Sequence, residues 1–259
     1  MKNKSILTIL LILLHLITVK LAIAQDFIFE VSDIEITNNG NTYKGNNRGK
    51  ILTNNQLELI SDNFEYLKKI NQLKLNGNVQ LLDGKNNVTI NAEIMFYLKD
   101  KEEVSTLGKT LIKVSDEYTV EGYDLTLSLN EMILSSIKNV IITDNDSNQY
   151  KLENFQYSIN EEIIKGENIE VLIKKDNKIN DDKLFFKTGF FNLKDNKFLA
   201  KDIVATLDKN LFGNNKNDPR IIAVSAKGDE FSTSFKKGVF TSCKKTDKCP
   251  PWKITAEKT

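Results

Sequence analysis

Gly77-Asn78-Val79-Gln80-Leu81 is the first of four similar phrases, each of which leads into an apolar, mostly β-branched run. The other three are Gly108-Lys109-Thr110-Leu111-Ile112, Lys138-Asn139-Val140-Ile141-Ile142 and Glu167-Asn168-Ile169-Glu170-Val171. Their anchors Val79, Thr110, Val140 and Ile169 are spaced 31, 30 and 29 residues apart. A fixed period of this kind marks an array of small units that stack on one another to bury their apolar faces. The repeat therefore predicts an all-β protein of stacked strand pairs.

Each repeat also holds a longer strand after a polar turn, predicted at 88–98, 118–129, 150–159 and 184–193. Apolar residues change face midway along several of these strands. Tyr118 and Val120 share one parity, whereas Leu125 and Leu127 share the other. A bulge or a corner produces such a switch, and a strand that bends at a corner can serve two facing sheets. The pattern predicts a rolled or folded-over sandwich.

The region before the repeats is less regular. Residues 27–36 and 56–60 alternate as strands do, and Tyr43-Lys44-Gly45 is predicted as a turn between them. Residues 27–36 would form an edge strand at the N-terminal end of the stack. An exposed edge of this kind invites another chain to add strands.

Residues 1–24 have the features of a secretory signal peptide. Lys2 and Lys4 precede an apolar run over 6–19, and Ala22-Ile23-Ala24 supplies the small residues that a signal peptidase requires. Gln25 is then the predicted first mature residue; an uncleaved N-terminal anchor is the alternative. The segment predicts an exported protein.

Removal of this segment limits the chemistry of the mature chain. The only histidine, His15, lies within the segment, so no Ser-His-Asp or Cys-His site can form afterwards. Three lysines leave with it, so 33 basic and 35 acidic residues remain, a net charge near −2. Proteins that bind nucleic acid usually carry a basic patch and a high isoelectric point. The composition favours neither an enzyme nor a nucleic-acid-binding protein.

The carboxylates suggest no active site. The pairs Glu102-Glu103, Glu161-Glu162 and Asp181-Asp182 fall at turns or strand ends and are predicted to be solvated charges. The stretch Asp144-Asn145-Asp146-Ser147 lacks the glycine and the terminal glutamate of a calcium-binding loop. We predict no catalytic residue, no metal site and no cofactor.

The informative residues are apolar ones on the inward face. In a closed sandwich they are core; if the two sheets splay apart, they line a groove that can bury acyl chains at about 0.8 kcal/mol per CH₂ group. The sequence leaves both alternatives open. The candidates are Val88, Ile90, Val120, Leu127, Leu152, Tyr157, Ile173 and Phe186.

Two cysteines, Cys243 and Cys249, lie six residues apart near the end of the chain. Disulfides persist in the oxidising compartments to which exported proteins go. A local bridge between them and pairing with cysteines outside this chain are both open. A zinc site is disfavoured, because two thiolates leave half of the coordination shell empty.

The repeated phrases resemble the OstA-like periplasmic domain of the lipopolysaccharide transport proteins. The resemblance rests on Leu75-Asn76-Gly77-Asn78-Val79, Tyr118-Thr119-Val120-Glu121-Gly122 and Ile163-Ile164-Lys165-Gly166-Glu167-Asn168-Ile169, and it covers residues 26–259. It implies an open β-jellyroll of stacked strand pairs over residues 25–240. Members of the family include soluble bridge proteins, anchored proteins and the N-terminal part of an outer-membrane barrel protein.

The C-terminal stretch resembles the last of these, the LptD type. A strand ends in Thr241-Ser242-Cys243, a short turn with Pro250-Pro251 follows, and a strand containing Trp252 returns. The family's N-terminal cysteine maps onto Cys243, while the extra Cys249 departs from the pattern. The resemblance implies that residues 241–259 lead toward an outer-membrane β-barrel that this chain lacks, as a truncated chain would.

The function implied by the resemblance is non-enzymatic transport and assembly of lipopolysaccharide at the periplasmic face of the outer membrane. The jellyroll groove would receive acyl chains from an LptA-like bridge jellyroll and pass them to a barrel. An LptE-like plug lipoprotein would be a partner only if the barrel is present. Two alternatives are a soluble bridge protein of the LptA type and a structural or adhesive β-solenoid with a closed core.

Overall fold

The computed structural model describes residues 27–174, 182–209, 213, 216–229, 231–246 and 252–259. The predicted signal segment 1–24 lies outside these residues. The first six strands are β1 (Phe27–Glu30), β2 (Glu35–Thr37), β3 (Thr42–Gly45), β4 (Gly49–Thr53), β5 (Leu57–Ser61) and β6 (Asn63–Leu67).

The remaining strands are longer on average and follow the repeats. They are β7 (Gln72–Asp83), β8 (Val88–Leu98), β9 (Glu103–Val114), β10 (Tyr118–Tyr123), β11 (Thr126–Ser128), β12 (Ile133–Ser136), β13 (Val140–Asp144), β14 (Gln149–Ser158), β15 (Ile163–Ile173), β16 (Asp182–Asn192), β17 (Lys197–Thr206), β18 (Arg220–Gly228), β19 (Thr233–Thr241) and β20 (Ile254–Lys258). The only helical segments among the described residues are three short 3₁₀ turns, at Asn38–Gly40, Lys68–Ile70 and Lys99–Lys101. The prediction of an all-β protein is confirmed.

In the longer strands, antiparallel pairing runs mostly from each strand to its neighbour along the chain, whereas β1 pairs with β4, β3 with β6 and β5 with β7. The pairs β7–β8, β8–β9, β14–β15 and every successive pair as far as β19–β20 are of this kind. Between β9 and β14 the ladder divides into two short branches, β10–β13 and β11–β12. Because β9 and β14 each pair with both branches, the pairings close a ring of six strands.

The repeated phrases mark the bends of these strands. The β7–β8 register shifts between Asn76 and Val79, and Gly77 and Asn78 at this point both have positive φ. Gly108 and Asn168 have positive φ at the corresponding points of β9 and β15. Glycine adopts this conformation without steric cost, and asparagine tolerates it better than most residues. The recurrence of Gly and Asn in the phrases is explained by a bulge or corner at each repeat.

A second series with the same period lies at one end of the strands. Asn71, Glu102, Met132 and Glu162 all have positive φ and are spaced 31, 30 and 30 residues apart. The carbonyl oxygen of each accepts a hydrogen bond from the turn of the next unit, at 2.8–3.0 Å, with Lys99, Leu129, Ile159 and Leu193 as the donors. Neighbouring turns are thus linked in a ladder, which fixes the stacking of the units.

The bends divide the strands into two half-sheets. The first half-sheet holds the segments that pair around 72–76, 94–98 and 103–107, and the second holds those around 79–83, 88–92 and 109–114. Phe27 of β1 lies in the second half-sheet and Tyr97 in the first, yet their ring centroids are 5.8 Å apart. Tyr118 and Tyr157 make a similar contact at 6.4 Å. The two half-sheets therefore face each other across a shared apolar interior, as the face switches predicted.

Two local predictions are wrong. Residues 27–36, predicted as one edge strand, form two strands, β1 and β2, which pair with β4 and β3. Tyr43-Lys44-Gly45, predicted as a turn, lies in β3, which pairs with both β2 and β6. Tyr43 packs there against the core, and Gly45 leaves room for the ring of Phe64, to which an added Cβ would approach within 2.2 Å. The glycine therefore marks a close packing contact and not a chain reversal.

In the part of the chain that the structure describes, no helix reaches the length and hydrophobicity needed to span a membrane.

Candidate functional site

The eight inward residues predicted from the sequence come together in one apolar cluster between the half-sheets. Seven of them are at most 3% exposed, and Ile173 is half-buried against the same cluster. The seven buried residues are Val88, Ile90, Val120, Leu127, Leu152, Tyr157 and Phe186. The interior around them is filled by side chains, so a ligand could reach these residues only if the packing changed.

Polar groups within this interior are paired or held neutral. Burial is the largest cause that raises the pKa of Tyr157, and nearby charges raise it further. Burial and the charge of Asp144 likewise raise the pKa of Tyr150. The hydroxyl of Tyr150 donates to Oδ2 of Asp144 at 3.1 Å. Thr110, fully buried at the bend of β9, donates to Oγ1 of Thr106 at 2.7 Å. Both tyrosines stay protonated near neutral pH, which keeps this part of the interior uncharged.

Aromatic side chains close the N-terminal end of the interior. Phe27 lies 4.9 Å from Tyr66 and 5.8 Å from Tyr97 between ring centroids, both edge-on. Phe29 stacks on Phe64 at 5.1 Å and on Tyr43 at 6.1 Å. Offset and edge-on aromatic pairs add about 0.5–1.5 kcal/mol beyond the area that they bury. We call Phe27, Phe29, Tyr43, Phe64, Tyr66 and Tyr97 the aromatic cluster.

A polar cluster covers the aromatic cluster at the adjacent turn. The hydroxyl of Tyr97 donates to Oε2 of Glu102 at 2.6 Å, and the amide of Asn55 donates to the same oxygen at 2.8 Å. Lys99, which is buried, pairs with the other carboxylate oxygen of Glu102. Burial alone would raise the pKa of Glu102, but the hydrogen bonds from Lys99, Tyr97 and Asn55 and the charge of Lys99 outweigh it, so the pKa is lowered. Glu102 is thus a structural anion, and its prediction as a solvated charge is wrong.

The C-terminal end of the interior is lined differently. Alanines take four of the inward positions of β17 and β18, namely Ala200, Ala205, Ala223 and Ala226, and Ile203 is fully buried between them. Phe191 and Phe198 stack at 6.2 Å beside Phe186, but both are only half-buried. Further along, Ile254 pairs with Phe240 across β19–β20 and is 60% exposed. The apolar interior is therefore accessible to solvent at this end.

The predicted cysteine passage lies beside this accessible end. Thr241 ends β19, and its hydroxyl donates to the carbonyl oxygen of Trp252 at 2.8 Å. The sulfur of Cys243, which is buried, lies 3.6 Å from the same oxygen. The chain after the turn therefore returns alongside Thr241 and Cys243. Cys249 lies outside the described residues, so a local bridge stays a prediction.

Unpaired strand edges lie at both ends of the fold. Among the described strands, β1 pairs only with β4 and β2 only with β3, so each leaves one edge free. Ile28, Ile34 and Ile36 in this N-terminal region are 39–54% exposed. At the other end, β20 pairs only with β19 among the described strands. Free edges with exposed apolar side chains are suited to strand addition by a partner.

The described residues hold no group of three or more His, Cys, Asp or Glu side chains placed to bind a metal ion. Sequence reasoning missed the aromatic and polar clusters because their members come from four strands and two turns. The comparisons add no family: no protein-family model matches the chain, and a search of curated proteins gives no significant match.

Proposed function

We propose that this protein binds acyl chains of lipopolysaccharide between its two half-sheets, as an open β-jellyroll, and passes them toward the outer membrane without enzymatic chemistry. The observation that carries the proposal is the accessible apolar interior at the C-terminal end, where Phe198 and Phe240 face inward but are only half-buried. Each CH₂ group buried there would contribute about 0.8 kcal/mol. The predicted export and the location at the periplasmic face of the outer membrane belong to the same proposal.

The free strand edges indicate where the proposed partner proteins would bind. A bridge jellyroll of the LptA type would add its strands to the free edges of β1 and β2, where main-chain groups supply affinity. Acyl chains arriving at that end would have to displace Phe29 and Tyr43, the half-buried members of the aromatic cluster. An LptE-like plug lipoprotein is a partner only for a form of the protein that carries a barrel.

Site-specific photocrosslinking in cells that make lipopolysaccharide tests the proposal. A photoreactive phenylalanine analogue at Phe198 or Phe235 should capture lipopolysaccharide, because both side chains face inward and are partly accessible. The matched control is Ile141, which is 39% exposed on the outer face of the second half-sheet. Absence of capture at both inward positions, in folded protein, would contradict the proposal.

A structural or adhesive β-solenoid with a closed core is the second candidate. The tight burial of Leu127 and Tyr157, at 1% and 2% exposure, favours it. The same crosslinkers at these two positions discriminate between the two functions. Capture at Phe198 together with Leu127 indicates a path that opens along the interior, whereas capture at neither is the result expected of a dry core.

A further inference from the structure

The outer face of the first half-sheet has an exposed apolar centre near its C-terminal end. Phe190 of β16 lies directly opposite Leu199 of β17, and Leu199 is 54% exposed. Shallow grooves of about 430 Å³ and 330 Å³ lie on the two sides of this pair, and both residues line each groove. Neither residue contributes to the interior in which acyl chains are proposed to bind.

Lysines surround this apolar centre. The outward positions of β15 to β19 in this half-sheet carry five lysines and the acidic residue Glu167, and the adjoining turns add Asp195, which pairs with Lys197 at 3.4 Å, and Asp229, which lines one groove. The lysines are Lys165, Lys197, Lys201, Lys227 and Lys236, and all of them are exposed. We call the five lysines, Phe190 and Leu199 the basic patch. The whole chain has a formal net charge of only +1, so the excess of positive charge is local.

The lysines at the centre of the basic patch are not neutralised by neighbours. Lys165, Lys201 and Lys227 form no ion pair with another described residue, and Nζ of Lys165 lies 5.9 Å from the ring centroid of Phe190. Elsewhere on the sheet lysines are compensated: Lys109 lies 2.7 Å from Glu121, and Lys44 lies 3.1 Å from Glu65. The charge of these three lysines is therefore available to an anionic partner, whereas that of Lys197 is offset by Asp195.

We propose that the basic patch docks on the surface of an anionic lipid bilayer. Lysine ammonium groups around an exposed apolar residue match the lipid–water boundary, because the charges meet phosphate headgroups while Phe190 and Leu199 contact the outer part of the acyl region. Several lysines spread over a broad sheet face suit a planar array of phosphates better than a single acidic peptide. The inference does not depend on the proposed lipopolysaccharide site, since it uses the opposite face of the strands.

Vesicle co-sedimentation of the full chain tests this inference. Binding is compared on vesicles with about 30% phosphatidylglycerol and on vesicles of phosphatidylcholine alone, because each lysine near an anionic surface contributes about 1 kcal/mol, or roughly fivefold in affinity. The variant Lys165→Gln/Lys201→Gln/Lys227→Gln should then bind the anionic vesicles roughly 100-fold more weakly. Binding of the unaltered chain should fall as salt is raised, because exposed charges are screened.

The matched control neutralises three exposed lysines on the outer face of the second half-sheet, Lys113→Gln/Lys151→Gln/Lys183→Gln. It should retain binding within a few-fold. Equal loss in both triple variants, or equal binding of the unaltered chain to both kinds of vesicle, would overturn the inference. No binding to anionic vesicles at low salt would also overturn it and would direct the search to an acidic protein.

Discussion

The two ends of the interior are built from the same bent strands but are closed to different degrees. At the N-terminal end, Phe27 and Tyr97 are at most 1% exposed within the aromatic cluster. At the C-terminal end, Phe191 and Phe198 are half-buried, and the inward neighbours are alanines. The backbone pattern alone therefore does not determine whether such an interior is closed. The volume of the inward side chains does, since a closed core requires close packing.

This difference gives the two ends separate roles in the proposed function. The aromatic cluster and the polar cluster around Glu102 supply rigid packing where a partner jellyroll would attach. The other end leaves the apolar surface of Phe198 and Phe240 partly exposed, and such surface has a driving force to bury a ligand. In the proposed function, acyl chains enter at the packed end and leave at the accessible end.

The largest effect is expected for Phe27→Ala. Removal of a fully buried aromatic side chain leaves a cavity and typically lowers the free energy of unfolding by about 3–5 kcal/mol. Phe198→Ala should lower it by only about 1–2 kcal/mol, because its ring is half-exposed in the folded protein. Urea denaturation at neutral pH measures both. Equal losses for the two variants would contradict the distinction between the two ends.

A smaller effect is expected when a methyl group is added at an inward glycine. The Cβ of Gly45→Ala would lie 2.2 Å from the ring of Phe64, which is confined by Phe29, and overpacking of this kind costs about 1–3 kcal/mol. At the other end, the Cβ of Gly189→Ala would meet only the outer atoms of Ile169 and Phe191, at 2.6 and 2.8 Å. Phe191 can move toward solvent, but Ile169 is fully buried and its outer methyl group must shift as well, so we expect about 1 kcal/mol there.

The surface variant Gly84→Ala is the control for this pair, because nothing lies within 4 Å of its added Cβ. It should leave the free energy of unfolding nearly unchanged. A Gly189→Ala variant that is destabilised as much as Gly45→Ala would show that the C-terminal end is as tightly packed as the N-terminal end.

Much of this architecture could be predicted from the sequence because the period and the face switches are local signals. The 30-residue spacing predicted the stacked strand pairs, and the change of parity after Val120 predicted a bend before Leu125 and Leu127, both of which lie in the core. The eight inward residues were found for the same reason. The alternation of apolar and polar residues along a strand indicates which face is buried, and it can be recognised within a few consecutive residues.

The closure of the N-terminal end could not be predicted in this way. The aromatic cluster joins β1, β3, β6 and β8, whose contacts span as many as 70 residues of sequence, from Phe27 to Tyr97. The Glu102 cluster likewise depends on Asn55, 47 residues away. A glycine that makes room for a ring, such as Gly45, has the same sequence signature as a turn glycine. These features are set by tertiary packing, which no local pattern encodes.

The smallest effect on stability is expected when the pH is lowered, and it should come from the N-terminal end alone. The folded-state pKa of Glu102 is lowered, so its cluster contributes stability that is fully present above the unfolded-state pKa, near 4.3, and is lost as pH falls through the folded-state pKa. Glu102→Gln should therefore be less stable than the unaltered chain at pH 7, and the gap should narrow below about pH 4. Thermal unfolding of both proteins between these pH values measures the gap. Glu103→Gln, one residue further along the chain, is the control for loss of a carboxylate at this turn. Tyr97 connects Glu102 to Phe27. A stability difference that narrows in acid would therefore indicate that the polar cluster supports the aromatic cluster. A stability difference independent of pH would assign the closure of the N-terminal end to the aromatic rings alone.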